Sequence, residues 1–476
     1  MSEVAALVEC VLNYTALQYS MPTRLLPQIS MPHRLSRSLF AVAALVGCSA
    51  RADAQARGSA DWVPQVLGTQ ITVIAQQLAS FDAPYSGPMS LVASGDHAVS
   101  HTYGLYLGAR IAPRLDGYLD VEMARGSGIS HASGLAGVTN GDVLRQGTAD
   151  LGNGPYVARA FLRFTLPLGT MVDSVARGID PRAGPVATRR VEFAAGKLAA
   201  SDLFDVNRYA NTTRTQFMNW GLFQNTAWDF AADTRGYTNG LAVSWVTPRM
   251  ALRAGSFQMP RQANGNVFDS DLRRARGDNV ELTLDVLPGG GAVRLLAWQN
   301  HARMGDYRVA LARAQATNTR PDIVADDTPN RRKRGVGLNV EQPLADDGET
   351  GAFLRVGADD GTTESFAFSE VEQHLSAGVQ LAGRHWGRSL DRIGAAVLRH
   401  AINDAHRDYL AAGGTGFLLG DGALRYGPET FVESYYRAQV GPYLQVGPDV
   451  QYVRNPGYNR DRGPAVVASL RANLRY

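Results

Sequence analysis

The sequence predicts an all-β fold, a transmembrane antiparallel β-barrel of about sixteen strands around a polar lumen. Three features of the chain point to it. Apolar and polar residues alternate in runs of roughly ten residues, tight turns alternate with long polar segments between the runs, and the last run ends on an aromatic residue, Tyr476. Each feature is weak alone, because the sequence signal of one barrel strand is weaker than that of a membrane helix. The prediction therefore rests on the recurrence of these features along the chain.

The alternation is clearest in the middle of the chain. Apolar Val280 and Leu282 alternate with polar Asn279 and Glu281, and a Pro-Gly-rich turn at 288–291 leads into a second run. Two such runs joined by a turn indicate a hairpin with one apolar and one polar face. The same pattern predicts strands near residues 69–78, 103–109, 119–123, 155–166, 189–198, 241–245, 250–254, 280–286, 292–300, 335–343, 350–358, 373–382, 393–402, 432–438, 444–452 and 466–476.

The length of these runs favours a membrane barrel over a soluble sheet. A tilted barrel strand needs about 9 to 11 residues to cross a bilayer, whereas soluble strands usually have roughly five or six. Segments 125–153, 260–277 and 301–334 are predicted to be long external loops, opposite short periplasmic turns. The basic tract 331–334 falls in the last segment and is predicted to be solvated.

The final run is the most specific local feature. From Val466 to Tyr476 every second residue is apolar or aromatic. Every backbone donor in a bilayer must be paired, so this strand has to close the sheet against the first one. The pattern resembles the C-terminal assembly signal of bacterial outer-membrane barrels.

The N-terminus predicts a targeting segment. Basic residues at 33–37, an apolar run from Leu39 to Val46 and an A-x-A site at 54–56 are typical of a cleavable signal peptide. We therefore expect 1–30 to be an over-extended reading frame, 31–56 the signal peptide, and 57–476 a single barrel domain. Alternatively, Cys48 ends a lipoprotein box and is acylated. Both cysteines, Cys10 and Cys48, precede residue 57, so the mature barrel would lack thiols.

Composition and motifs argue against several functional classes. Lys and Arg number 47 against 44 Asp and Glu, a net charge of +3, which does not call for a nucleic-acid partner. No apolar stretch approaches 18 residues, so no transmembrane helix is expected. The chain has no G-x-S-x-G, H-E-x-x-H or phosphate-loop motif. We expect no enzymatic activity, no catalytic residue, no metal and no cofactor.

Polar and aromatic residues concentrate between positions 202 and 235, which predicts a loop folded into the pore. The alternative is an external loop packed against its neighbours or lipopolysaccharide. On the strands, a lipid-facing Arg at mid-depth costs roughly 2 to 4 kcal/mol, so charged faces should point into the lumen. The candidate channel residues are Asp202, Asp205, Arg208, Arg214, Asn219, Trp220, Asp229 and Arg235 in this segment, Arg159, Arg163, Arg294 and Trp298 on strands, and His406 and Arg407.

Several collinear blocks resemble the carbohydrate-selective porin family of the OprB type. The resemblance implies a sixteen-stranded barrel with a polar lumen and facilitated diffusion of sugars without an energy source. Before residue 190 it is looser. The blocks are Gly196–Ala210, Arg214–Asn225, Trp228–Gly240, Leu252–Pro260, Thr363–Glu370, His406–Gly422 and Asn455–Pro464.

Together these features predict a porin of the Gram-negative outer membrane that passes carbohydrates and other small hydrophilic solutes. Its expected partners are those solutes, outer-membrane lipid and lipopolysaccharide, and no nucleic acid. The chain is expected to form a homo-oligomer, a trimer, or to remain a monomer. Two alternatives are an outer-membrane barrel hydrolase and a soluble exported carbohydrate-binding protein.

Overall fold

Sixteen antiparallel strands close into one barrel in the computed structural model, which describes residues 64–143, 151–175 and 182–476. The predicted signal peptide and Cys48 lie outside these residues. Each of the sixteen predicted runs overlaps a barrel strand, so the fold prediction is confirmed. The barrel strands are β1 (Gln65–Leu78), β2 (Asp96–Ala112), β3 (Leu115–Gly126), β4 (Tyr156–Pro167), β7 (Arg190–Leu198), β8 (Thr238–Thr247), β9 (Met250–Gln258), β10 (Arg276–Leu287), β11 (Gly291–Met304), β12 (Thr328–Ala345), β13 (Thr350–Asp359), β14 (Gln373–Ala382), β15 (Arg392–Ala401), β16 (Glu429–Val440), β17 (Leu444–Arg454) and β18 (Ala465–Arg475).

One hairpin was not predicted. Strands β5 (Val172–Val175) and β6 (Gly184–Ala187) form a separate two-stranded sheet within the connection from β4 to β7. These strands are only four residues long, too short for a run of alternation to stand out.

The two ends of the chain close the barrel. Strand β18 pairs with β1 from Arg475 beside Gln70 to Val467 beside Leu78. The last residue joins this ladder, since Tyr476 N donates to Thr69 O at 2.9 Å. The closure leaves no free edge among the barrel strands, as a sheet in lipid requires.

Burial in the wall is the reverse of that in a soluble protein. On β10, Val280 is 49% exposed whereas Glu281 is 1% exposed, and Leu470 on β18 is 61% exposed. The apolar face therefore points outward and the polar face inward along these strands. Apolar side chains on the outer surface are favourable in contact with lipid hydrocarbon, whereas their exposure to water would be unfavourable.

The connections differ between the two ends of the barrel, as predicted. Short turns such as 248–249 and 288–290 lie at one end, called the turn end; connections such as 199–237 and 402–428 lie at the other, called the loop end. By the usual asymmetry of membrane barrels, we expect the turn end to face the periplasm. The loops contain helices Trp220–Phe223, Tyr307–Thr317 and Asp404–Ala411, and no helix in the described ranges is long and apolar enough to cross a bilayer.

The boundaries predicted for the loop 301–334 are partly wrong. Strand β11 continues to Met304 and β12 begins at Thr328, so the basic tract 331–334 lies within a strand. Its Lys333 is fully buried, with Nζ 3.3 Å from Asp229 and 3.4 Å from Asp359. The run of basic residues favoured a solvated loop over a strand, because the acidic partners of Lys333 are distant in the sequence.

Candidate channel site

The connection 199–237, called the inner loop, lies inside the barrel. Its Asn207 Nδ2 donates to Asn339 on β12 at 2.7 Å, and its Asn219 Nδ2 donates to Gln451 on β17 at 3.2 Å. From β18, Arg471 donates to the Gln216 carbonyl at 2.6 Å. These contacts reach inward-facing residues across much of the wall. Of the two predicted placements, the structure therefore shows the loop folded into the pore.

One arginine of the wall holds three parts of the inner loop. Arg355 on β13 is fully buried, and its Nε lies 3.1 Å from a carboxylate oxygen of Asp205. Its two terminal nitrogens donate to the carbonyls of Leu222 and Ala210 at 2.9 and 2.7 Å. A buried guanidinium needs such complete pairing, because desolvation of an unpaired charge is costly.

Inward-facing glycines make room for the inner loop. A Cβ at Gly351 would overlap the ring of Tyr209, and one at Gly357 would overlap the Asn225 amide. On the neighbouring strand, a Cβ at Gly337 would lie 2.7 Å from the same amide. The loop can lie flat on β12 and β13 only because these positions lack side chains.

Other loops cover the loop end of the barrel and form a packed cap. Its apolar part includes Tyr307, Tyr409 and Leu418. Within it His406 is fully buried, with Nδ1 2.7 Å from Glu372 and Nε2 3.3 Å from Glu370. Burial alone would lower the pKa of His406, but Glu372 and Glu370 outweigh burial and raise the pKa to about 9.

A small cavity opens among the loops at the loop end. Its volume is about 70 Å³, and its lining includes Trp220, Arg235, Phe368 and Phe417. The rings of Trp220 and Phe368 stack at 4.8 Å with 20° between their planes. This cavity is called the outer cavity.

A larger cavity of about 560 Å³ occupies the turn end and is called the inner cavity. Strands β2–β4 and β7–β11, the β5–β6 hairpin and the inner loop all contribute to it. Six arginines and four carboxylates supply its charge. They are Arg110, Arg163, Arg182, Arg190, Arg253 and Arg294, with Asp116, Glu192, Asp202 and Glu281.

A chain of charged and aromatic side chains, called the charged cluster, links the two cavities. Arg159 lies 2.6 Å from Asp202, at the inner cavity, and its guanidinium is 5.2 Å from the ring centroid of Tyr237. The Tyr237 hydroxyl donates to Glu122 at 2.5 Å. Arg214 then lies 3.3 Å from Glu122 and 2.8 Å from Asp142, next to the outer cavity. Near it, the Arg235 guanidinium lies 4.5 Å from the Tyr156 centroid.

The structure sorts the candidate residues into two groups. Some line a cavity or belong to the charged cluster: Arg159, Arg163, Asp202, Arg214, Trp220, Arg235 and Arg294. The other group is engaged elsewhere. Its members are Asp205 and Asn219, buried in loop contacts; Asp229, which accepts from Phe366 N and Ala367 N; Trp298 in an apolar cluster; His406 in the cap; Arg407, paired with Asp404; and Arg208, exposed beside the Gly348 turn.

Sequence reasoning missed several lining residues. Arg253 and Glu281 lie 3.5 Å apart on the polar faces of predicted strands, so alternation could have found both. Arg182 contacts Asp116 at 3.2 Å from beside the short β5–β6 hairpin, for which the sequence offers no signal.

The described geometry agrees with comparisons to known proteins. The family model of the carbohydrate-selective porins, OprB family, matches residues 180–476, which is more than half of the chain. The putative porin QuiX of Acinetobacter baylyi is 23% identical over 316 residues; the match covers 60% of this chain and 66% of that protein, just under two thirds. The high-pH structure of Pseudomonas putida OprB superimposes with a TM-score of 0.63 at 16% identity, covering 86% of this chain and 94% of that one. The chain therefore belongs to the carbohydrate-selective porin family of the OprB type and is an integral β-barrel porin of the outer membrane.

Proposed function

We propose that carbohydrates diffuse passively from the outer cavity, past the charged cluster, into the inner cavity and out at the turn end. One observation carries this route. The inner loop packs against the inward faces of β12, β13 and β16–β18, whereas the inner cavity and the charged cluster lie on the side of β2–β4. The loop bonds to the β2–β4 side as well, through Asp202, Arg214 and Tyr237, but the two cavities remain beside these contacts, and the proposed route passes through them.

The chemistry along this route suits sugars. At the outer cavity, the part of the stacked Trp220–Phe368 pair that lines the cavity offers an apolar surface for the C–H face of a sugar ring. In the charged cluster, Glu122 accepts and Arg159 and Arg214 donate hydrogen bonds, replacing those that the hydroxyls lose with water. Several weak sites in series permit entry without trapping the solute. We expect sugars to leave chemically unchanged.

Planar-bilayer recordings with the Trp220→Ala variant test this route. Loss of the stacking face should raise the glucose concentration that half-blocks the current roughly three- to tenfold. The matched control is Trp245→Ala, which removes a 44% exposed tryptophan from the outer face of β8. Glucose should block the current through this control at the same concentration as in the parent protein.

A second variant tests the charged cluster itself. Arg214→Gln removes two ion-pair contacts beside the lumen, so single-channel conductance in KCl should change measurably while heat-modifiable gel migration stays normal. Unaltered conductance in Arg214→Gln together with unaltered glucose block in Trp220→Ala would place the solute path elsewhere.

A further inference from the structure

The inner cavity carries more positive than negative side chains. Six arginines face four carboxylates, and each of the four carboxylates has an arginine partner. Asp116 lies 2.5 Å from Arg110, Glu192 lies 2.7 Å from Arg190, Asp202 is paired with Arg159, and Glu281 with Arg253. Arg294 is paired with Glu341 outside the lining, but Arg110 and Arg182 share Asp116, so a cationic surplus remains. A pore wall of low dielectric concentrates anions near such charge.

Arg163 contributes to that surplus and lies on the cavity surface. Its guanidinium is 5.0 Å from the ring centroid of Tyr118 and 5.4 Å from that of Phe161. Within the described part of the chain it makes no ion pair. These ring contacts leave the N–H groups of the guanidinium available to a solute. The planar N–H edge of a guanidinium can bind a carboxylate through two parallel hydrogen bonds.

Neutral hydrogen-bonding groups lie in the same cavity. Thr165, two residues from Arg163 on β4, and Ser244 on β8 both belong to its lining. Their hydroxyls can both donate to and accept from the hydroxyls of a solute. Guanidinium and hydroxyl groups together match a small molecule that carries one carboxylate and several hydroxyls.

We propose that this porin favours sugar acids, such as uronic and aldonic acids, over neutral sugars of the same size, and that Arg163 binds their carboxylate. This inference rests on the proposed function, because the solute must reach the inner cavity. Neutral sugars use the same path without the charge-assisted contact.

The test compares sodium glucuronate with glucose as blockers of the chloride current in planar bilayers. For the parent protein, the half-blocking concentration of glucuronate should be about tenfold lower than that of glucose. In Arg163→Gln this difference should shrink to about twofold or less. The cationic inner cavity should give the parent protein an anion-selective zero-current potential in a salt gradient. Arg163→Lys keeps the charge but lacks the planar guanidinium, so this variant should retain that potential and lose most of the preference for glucuronate.

Arg332→Gln is the matched control. It removes an exposed arginine of β12, outside the lumen, and should behave like the parent protein. Equal block by glucuronate and glucose in a conducting parent protein, or an unchanged preference in Arg163→Gln, would overturn the sugar-acid inference alone. A folded barrel that neither conducts nor responds to any sugar would instead overturn the proposed channel.

Discussion

The two sides of the barrel interior use the same residue types differently. On the side of β12–β18, Arg355 and its inner-loop partner Asp205 are almost fully buried, with 0% and 4% of their side chains exposed. On the side of β2–β4, Arg159 of β4 and Arg214 of the inner loop remain 12% and 22% exposed and contact tyrosines. The difference shows that an inward-facing charge is fully buried in contacts with the loop where the loop covers it and stays partly exposed where a cavity remains.

The largest effect should follow removal of the central anchor on the covered side. Arg355→Leu leaves Asp205 buried without its cation, which costs about 3 to 5 kcal/mol of unfolding free energy. Single-channel conductance should rise, because the freed loop no longer fills its side of the lumen. Guanidinium unfolding in detergent and bilayer recording measure both effects, with Arg332→Leu on the outer face as the control. Parent-like stability would show that the anchor is dispensable.

A smaller effect should follow when the space beneath the loop is filled. Gly357→Ala places a methyl group against Asn225, and overpacking of this kind usually costs about 1 to 3 kcal/mol. Gly169→Ala is the control, because a Cβ there meets nothing within 4 Å. Equal unfolding midpoints for the two variants would contradict the close contact between loop and wall.

The smallest effect should be confined to the cap. The pKa of His406 is raised to about 9, so its contribution to cap stability is complete below about 6.5, the ordinary pKa, and is lost as pH rises through 9. Glu370, Glu372, Tyr307 and Tyr409 are the titratable groups packed around it. Burial raises the pKa of nearby Glu364 to about 8, and its ionisation weakens the cap in the same direction.

Hydrogen exchange of residues 402–428 tests this expectation. Exchange, corrected for its intrinsic pH dependence, should accelerate between about pH 6.5 and 9 in the parent protein. In His406→Gln the acceleration should be much smaller, because only the Glu364 contribution remains. Identical pH profiles for the two proteins would exclude a charged His406 as a stabilising group.

Alternation in the sequence predicted the wall well and the lining only in part. It identifies which residues of a strand face inward, as for Glu281, because strand geometry has a period of two. It does not indicate whether another segment then covers that face. Arg163 and Trp298 were equal candidates on this criterion, yet Arg163 lines the inner cavity and Trp298 is buried in an apolar cluster. The deciding contacts come from segments distant in the sequence, such as Asn207 beside Asn339.

The position of the inner loop in the chain also constrains the order of assembly. The loop ends at residue 237, but its polar groups bond to Asn339, Arg355, Gln451 and Arg471, all in the C-terminal third of the chain. Contacts that span more than a hundred residues carry a loop-closure cost, and they require the C-terminal strands to be present. The N-terminal hairpins alone therefore cannot satisfy the carboxylates and amides of this segment. A truncated nascent barrel would expose them, and that exposure distinguishes an unfinished molecule from a completed one.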